Sequence, residues 1–499
     1  MPALSLHSHL KMGDTLRSLF IISLMVLNCF QLNGSETTRQ FNVTDFGAVG
    51  DGVKLNTVAI QKAIDACAAA GTGEVYFPGG TWLSGTLILK SHVTLHLADD
   101  AVLLGSTNLA DYPEQIPAFR SYTDNYTTRS LIYAEKQTNI AIIGKGAIDG
   151  QGQKFPAIRL PYHNRPYMIR MIECRHISLE NFTIQNSPMW VQHYLACDHL
   201  NISGMTVLSR EANFNNDGID IDGCHHVRIT GCYVDSEDDA MVLKSTSNRA
   251  CENVSISHCT LSSLSNAIKC GTESNGGFKN IRISDCHIFD TWNSGIALAI
   301  VDGGTMDGVV ISNITMNNLN NLLYIRLGNR ARPFLADGPK PGPGVVKNII
   351  INNIVATQVG NYLPPAHTYR GFKPRFDGHV PLIIAGLPEH PVENVSLSNF
   401  SIQYAGGSDL IEPTLPVPEA EESYPEYAMF GQVPASAAFC RHVKNLTLSH
   451  LNTSFLRPDH RFPLVCEDVD GLVLHTFQTT GKTPDGKVEF LKDTRKLAE

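Results

Sequence analysis

Val227-Arg228-Ile229-Thr230-Gly231-Cys232-Tyr233-Val234 returns as Val254-Ser255-Ile256-Ser257-His258-Cys259-Thr260-Leu261, and again as Ile281-Arg282-Ile283-Ser284-Asp285-Cys286-His287-Ile288. In each copy apolar, often β-branched residues alternate with polar ones, a turn position follows, and a second short apolar run closes the unit. The pattern extends outward to Ile177-Ser178-Leu179 through Ile184, to Leu200-Asn201-Ile202 through Val207, and to Val309-Val310-Ile311. Later copies begin at Ile349, Val395 and Leu446. From Ile177 to Val309 the copies start 23, 27, 27, 27 and 28 residues apart; beyond that the spacing is 40 or more. Period-two alternation at a fixed repeat, with no helical run between copies, predicts stacked coils of parallel strands. One coil cannot bury its apolar face alone, so the stack builds one long core and one cooperative domain.

The lengthened spacings mark loops inserted into coils, at 332–344, 362–378 and 412–427, and such loops commonly wall a binding groove. Upstream, Asn56 to Gly71 reads as one amphipathic helix with Val58, Ile60, Ala63, Ile64 and Cys67 on one face. Placed over the open end of the stack, it would hide the unpaired edge. The last residues, 481–499, read as a solvated tail or a terminal strand and helix. Asn-x-Ser/Thr triplets at Asn181, Asn201, Asn253, Asn313, Asn394, Asn399 and Asn445 keep step with the repeat. Strand-end turn and ladder residues explain that regularity better than glycosylation does. Cys232, Cys259 and Cys286 also share one repeat position, which predicts a ladder of small buried thiols rather than disulfides or a metal site.

A net charge of −9 over 499 residues excludes the basic stripe of a nucleic-acid binder. A polyanionic partner would have to be met by local Lys/Arg clusters, not by the overall field. Lys11 and Arg17 precede the apolar run Leu19–Leu27, with small polar residues near Gly34-Ser35, so residues 1–35 read as an export signal. The run is too short to span a bilayer, and no later run is long enough to serve as a transmembrane segment. Cys29 is a weak match to a lipoprotein cleavage site, which makes lipid anchoring the minor alternative to a secreted, periplasmic or outer-surface protein.

Two acidic clusters lie about one coil apart, Asn215-Asn216-Asp217-Gly218 and Glu237-Asp238-Asp239. Asp217 precedes Asp238 by 21 positions and Asp239 by 22. In stacked coils of that length three carboxylates crowd onto one face. Crowded carboxylates repel, which raises at least one pKa and separates a general acid from a general base.

With Asp45-Phe46-Gly47-Ala48-Val49-Gly50-Asp51-Gly52, Asp149-Gly150-Gln151-Gly152, Asn186-Ser187-Pro188-Met189-Trp190, Asn215-Asn216-Asp217-Gly218 and Asp238-Asp239, the chain resembles glycoside hydrolase family 28 over nearly all of residues 36–480. This is the polygalacturonase family. The resemblance implies an all-β fold, a single-stranded right-handed parallel β-helix with a short N-terminal capping helix and long groove-forming loops. It implies Asp238 as general acid, with Asp217 and Asp239 activating a water on the opposite face of the sugar. The outcome is single-displacement inversion, with no metal and no cofactor. Inverting hydrolases hold their carboxyl groups roughly 6.5–9.5 Å apart, whereas adjacent coils are separated by about 4.8 Å. Inversion therefore requires a sideways offset of the acid from the bases.

Two blocks depart from the family. Asn266, in Ser265-Asn266-Ala267-Ile268-Lys269-Cys270-Gly271, stands where a His is usual. Ala297-Leu298-Ala299 stands where Arg-Ile-Lys grips a galacturonate carboxylate. Asn215, Lys244, Asn266, Lys269, Glu273, Arg326 and Arg330 are the candidate substrate-binding residues. The alternative for each cation is a solvated outer-face side chain. The departures resemble the rhamnogalacturonan-directed branch, where the sugar beyond the cleaved galacturonate is neutral rhamnose. The expected protein is an exported monomer acting on pectic polysaccharide or oligosaccharide, exo-acting through its long loops. A Ca-dependent pectate-type lyase and a non-catalytic carbohydrate-binding β-helix remain the alternatives.

Overall fold

The computed structural model describes residues 39–157, 160–364 and 380–497. The expected export signal, Cys29 and most of the 362–378 loop lie outside them. The compact unit is Phe41–Glu499, and residues up to Gln40 form a separate unit of which Arg39 and Gln40 are described.

Parallel strands stack in three columns. The first runs through Tyr167–Ile172, Gln192–Leu195, Ile219–Asp222, Met241–Ser245 and Ile268–Ser274. The second runs through Arg175–Glu180, Asp198–Ser203, His225–Thr230, Cys251–Ser257 and Gly277–Ser284. The third runs through Thr183–Gln185, Thr206–Leu208, Tyr233–Ser236 and Thr260–Ser263. The repeat stands directly in register: Ile177 pairs with Leu200, then Val227, Val254, Ile281 and Val309. All six are buried. The result is a parallel β-helix in which inward residues of one coil rest on their equivalents in the next.

The corners between the first two columns take left-handed backbone. His176, His199, His226, Asn253 and Asn280 have φ between 53° and 57°, a region that short polar side chains tolerate better than branched ones. The three imidazoles stack at 4.8 Å centroid spacing. The amides continue as ladders: Asn280 Nδ2 donates to Asn253 Oδ1, Asn394 to Asn348 and Asn445 to Asn394. Of the sequon asparagines, Asn253, Asn394 and Asn445 hold this position, Asn181, Asn313 and Asn399 take left-handed backbone (φ 57–68°) at another point of the coil, and Asn201 pairs in its strand with Ser178 and Arg228. Cys232, Cys259 and Cys286 are buried free thiols.

The helix spans Thr57–Ala69 and buries Ile60, Ala63, Ile64 and Cys67 against the first coils. Val58 does not join that face; it is 69% exposed. The i, i+3/i+4 spacing of the buried set places Val58 on the far side of the cylinder. At the other end Glu489–Lys496 is a strand paired with Phe462–Thr479, so the terminal segment extends the stack rather than leaving it. Among the described residues no helix is long and apolar enough to cross a membrane.

The outward face of the first column is roofed by loops. Val417, Tyr427 and Phe430 pack on Ala297, Tyr324, Ile383 and Phe439, forming a second apolar core outside the helix. On the other side Tyr122 N donates to Thr246 O, which docks the 121–128 loop.

Candidate active site

The corner preceding each first-column strand carries the acids. Asp217 precedes Ile219–Asp222, and Asp238-Asp239 precede Met241–Ser245 one coil later. Backbone bonds clamp the two corners, with Gly218 N donating to Asp239 O at 2.9 Å. A Cβ on Gly218 would lie 2.5 Å from Ala240 O and 2.4 Å from Val234 Cγ1, so the coils close to this distance only over glycine. Asn216 locks the turn: its Nδ2 donates to Ser209 O and Asn213 O, and its Oδ1 accepts from Glu237 N. Oxygens of Asp217, Asp238 and Asp239 all lie within 4.8 Å of one another.

Their surroundings differ sharply. Asp239 is buried, and its Oδ1 accepts from Ser265 Oγ (2.7 Å), Asn266 Nδ2 (2.7 Å) and Asn266 N (3.0 Å). Its Oδ2 accepts from Lys269 Nζ at 2.7 Å. Burial alone would raise its pKa, but the Lys269 and Lys244 ammoniums and these hydrogen bonds hold it below the ordinary carboxylate value. Asp217 is also buried; desolvation first, then the Asp238 charge, pushes its pKa well up, against the pull of Lys244 at 3.2 Å. Asp238 is half-buried, the most open of the three. Ser236 and Ser263 hold its backbone carbonyl, and Asn215 Nδ2 approaches Oδ2 at 3.5 Å.

Both lysines sit in first-column strands one coil beyond the acid they serve and reach back along the stack. Lys244 Nζ lies 3.2 Å from Asp217, 3.5 Å from Asp220 and 3.7 Å from Glu273, with the Trp190 ring 4.4 Å away. Asp220 is fully buried, and desolvation raises its pKa well above the usual value. Lys244 and Lys269 are thus counterions of the acid cluster, not solvated outer-face cations. Asn266, in the usual His position, and Lys269 together clamp Asp239.

The remaining candidates divide. Asn215 and Glu273 belong to the cluster, although Glu273 is already paired with Arg332 Nη2 at 2.7 Å. Arg330 donates to the buried Asp302, with its guanidinium 5.8 Å from the Tyr424 ring. Arg326 is fully buried and donates to Gly386 O and Glu419 O beneath Phe430. It is a strut of the 412–430 loop rather than a groove-facing cation. Ala297, in the block where Arg-Ile-Lys is usual, is covered by the apolar side of the same loop.

Sequence reasoning missed the loop-borne groups: Arg332, whose guanidinium lies 3.6 Å from the Tyr122 ring, and Tyr126, packed between Tyr162 and Trp190. It also missed Tyr424, half exposed and donor-linked to Lys269. Arg165 reaches Asn215 Oδ1 and Pro188 O from a further loop. None recurs with the repeat, so no periodic signal marks them.

Three close carboxylates are a donor set for a hard cation. Here the chain supplies its own neutralising charges, and both oxygens of Asp239 are engaged by protein donors. An open, partly exposed carboxyl beside two buried acids of opposite pKa displacement can divide the work of acid and base.

Residues 67–357 match the sequence model of glycosyl hydrolases family 28. A probable polygalacturonase of Vitis vinifera is 38% identical over 195 residues, covering 37% of this chain and 40% of the relative. An exo-poly-alpha-D-galacturonosidase of Dickeya chrysanthemi is 47% identical over 124 residues, covering 23% of this chain and 20% of the relative. The matches thus span less than half the length of these relatives. Among solved structures, a Thermotoga maritima exopolygalacturonase aligns with a TM-score of 0.61 at 22% identity, over 73% of this chain and 87% of that one. A Yersinia enterocolitica family 28 exopolygalacturonase gives 0.58 at 19% identity, over 90% and 79%. These two likenesses speak to the fold, which is that of the parallel β-helix, and the sequence match over more than half of the chain speaks to descent: the protein belongs to glycosyl hydrolases family 28.

Proposed function

We propose that the protein is a pectin-degrading glycoside hydrolase that cleaves α-galacturonosidic bonds with Asp238 as general acid and Asp217 and Asp239 sharing the activation of a water. The observation that carries this reading is the intact three-carboxylate cluster with its resident ammoniums. Asp238 is open enough to reach a glycosidic oxygen, and Asp239 is held ionised beside it. Single displacement with inversion comes from the family resemblance. The oxygen spacing, within 4.8 Å, is shorter than the roughly 6.5–9.5 Å usual for inverting pairs, so the stereochemistry is the point to test.

Loops packed over the first column on both sides of the cluster support exo action, because a long polymer needs an open groove. The sugar next to the cleaved galacturonate is proposed to be neutral, as in the galacturonate-α-1,2-rhamnose linkage. Among the described residues, Lys244, Lys269, Arg330 and Arg332 are already paired with Asp217, Asp239, Asp302 and Glu273. A second carboxylate there would lack a charge-assisted partner. Export directed by residues 1–35 completes the proposal.

The deciding experiment is product analysis on defined galacturonan and rhamnogalacturonan oligosaccharides, with NMR of the nascent anomer. Terminal-unit release with an inverted anomer from the rhamnogalacturonan series is expected; a retained anomer refutes the displacement mechanism. Unsaturated products lost on adding a chelator would establish the lyase alternative, which the two built-in ammoniums disfavour. Binding without turnover on either series would make the protein a carbohydrate-binding β-helix.

A further inference from the structure

Asp302 is fully buried and touches none of the three reacting carboxylates. Its oxygens accept from Arg330 Nε at 2.9 Å and from the backbone N of Arg332 at 3.1 Å, while Arg332 Nη2 lies 3.6 Å away. Asn275 Nδ2 braces the same turn through Asp302 O and Arg332 O. So tethered, Arg332 lies against the Tyr122 ring and donates to Glu273 Oε1 at 2.7 Å. The other oxygen of Glu273 faces Lys244 at 3.7 Å, and Lys244 faces Asp217 at 3.2 Å. A chain of alternating charge therefore runs Asp302, Arg332, Glu273, Lys244, Asp217.

We propose that Arg332 is a positioning residue for Asp217: by occupying Glu273 it leaves the Lys244 ammonium to Asp217, and Asp302 is the post that holds Arg332 in place. The physical reason is competition. Lys244 is shared among Asp217, Asp220 and Glu273, and an opposite charge nearby favours the ionised acid. Whatever satisfies Glu273 from another side returns Lys244 to Asp217. The groups facing Asp217 are Asp238, Lys244, Asp220, Asp239 and Tyr162. Those facing Glu273 are Lys244, Arg332, Arg330, Tyr126, Tyr162 and Tyr424. Lys244 is the cation common to both sets. Arg332 donates to Glu273 Oε1 at 2.7 Å, and Glu273 faces the same Lys244 that faces Asp217, so the contact path from Arg332 to Asp217 runs through Glu273.

The inference rests on the hydrolase reading for its turnover assay, and a second readout needs no turnover. In Arg332→Met, Glu273 draws Lys244 away from Asp217, and the acid limb of kcat/KM on the cleaved oligosaccharide should move up by about one pH unit. In Glu273→Gln the competitor is gone and the limb should move down. The double variant should follow Glu273→Gln alone, and Arg332→Lys should restore much of the wild-type profile. A direct substrate contact by Arg332 would instead raise KM with the limb unmoved, and that result overturns the proposal. An equal shift from Arg332→Met in the Glu273→Gln background also overturns it. The turnover-free measurement is a carboxyl carbon NMR titration of the folded protein, with the Asp217 signal identified by its loss in Asp217→Asn. An Asp217 midpoint unchanged in folded Arg332→Met refutes the inference whether or not hydrolysis is seen. Absence of hydrolysis alone refutes only the enzymatic reading.

Discussion

Lys269→Met removes the ammonium 2.7 Å from Asp239 Oδ2 while keeping most of the apolar stem, in a pair whose side chains are each 3% exposed. At an effective dielectric of about 20, opposite charges this close attract by about 6 kcal/mol. Desolvation of both offsets part of that, and losing one partner of a buried pair typically costs about 3–5 kcal/mol. Asp239 keeps its Ser265 and Asn266 donors on Oδ1, which places the expected loss near the lower end, about 3 kcal/mol. The pH dependence follows from the direction of each shift. The Asp239 pKa is depressed, so its contribution is present above the unfolded carboxylate value of about 3.9 and is lost as pH falls through the folded value. The Lys269 pKa is raised; its contribution is full below about 10.4 and lost as pH rises through its folded value. The Met variant should therefore melt well below wild type in neutral buffer, and the gap should narrow in acid. The acid limb of kcat should also move to higher pH, because Asp239 protonates more readily without its counterion. Thermal melts and rate profiles across the acid range measure both, with Lys269→Arg as the charge-retaining control. Equal melting at neutral pH together with an unmoved acid limb would refute the claim that Lys269 maintains Asp239.

Asp238→Asn should lower turnover by about 10²–10⁴-fold with unchanged melting, since the side chain is half open and few protein groups depend on it; wild-type rates would remove it as the acid. Gly218→Ala forces a Cβ to within 2.5 Å of Ala240 O and should cost about 1–3 kcal/mol while separating the two acidic corners, read as lower stability and lower kcat together. His442 joins the 412–430 loop to the stack through Glu419 and Asp468, whose hydrogen bonds and charges raise its pKa although burial would lower it. A raised pKa gives a clamp fully present below about 6.5 and lost as pH rises through the folded value. Limited proteolysis within 412–430 should accelerate in alkaline buffer, and His442→Ala should be cut rapidly at every pH.

Which parts of the site were legible follows from how each residue is carried. Asp217, Asp238, Asp239, Asn266, Lys244 and Lys269 belong to repeat positions, so a residue's place in the repeat already states its neighbours one coil away. The register Ile177, Leu200, Val227, Val254, Ile281 confirms that arithmetic strand by strand. Arg326 misled because a cation interrupting an apolar strand looks the same whether it faces substrate or a loop carbonyl. Val58 misled for a different reason: it stands two residues before Ile60, so the i, i+3/i+4 spacing of the buried set already puts it off that face.

Residue order alone therefore determined the stacked coils, the corner residues and the crowding of three acids, because coils of 22 to 28 residues bring equal positions within one strand spacing of each other. Tertiary structure alone decided which acid is open and which is clamped. It also decided that Lys244 and Lys269 are ion-paired with Asp217 and Asp239, and that Arg332, Tyr126 and Tyr424 border the site. Those outcomes depend on loops folding back over the stack, and a loop's landing place is set by packing and desolvation against distant coils, which no local spacing records.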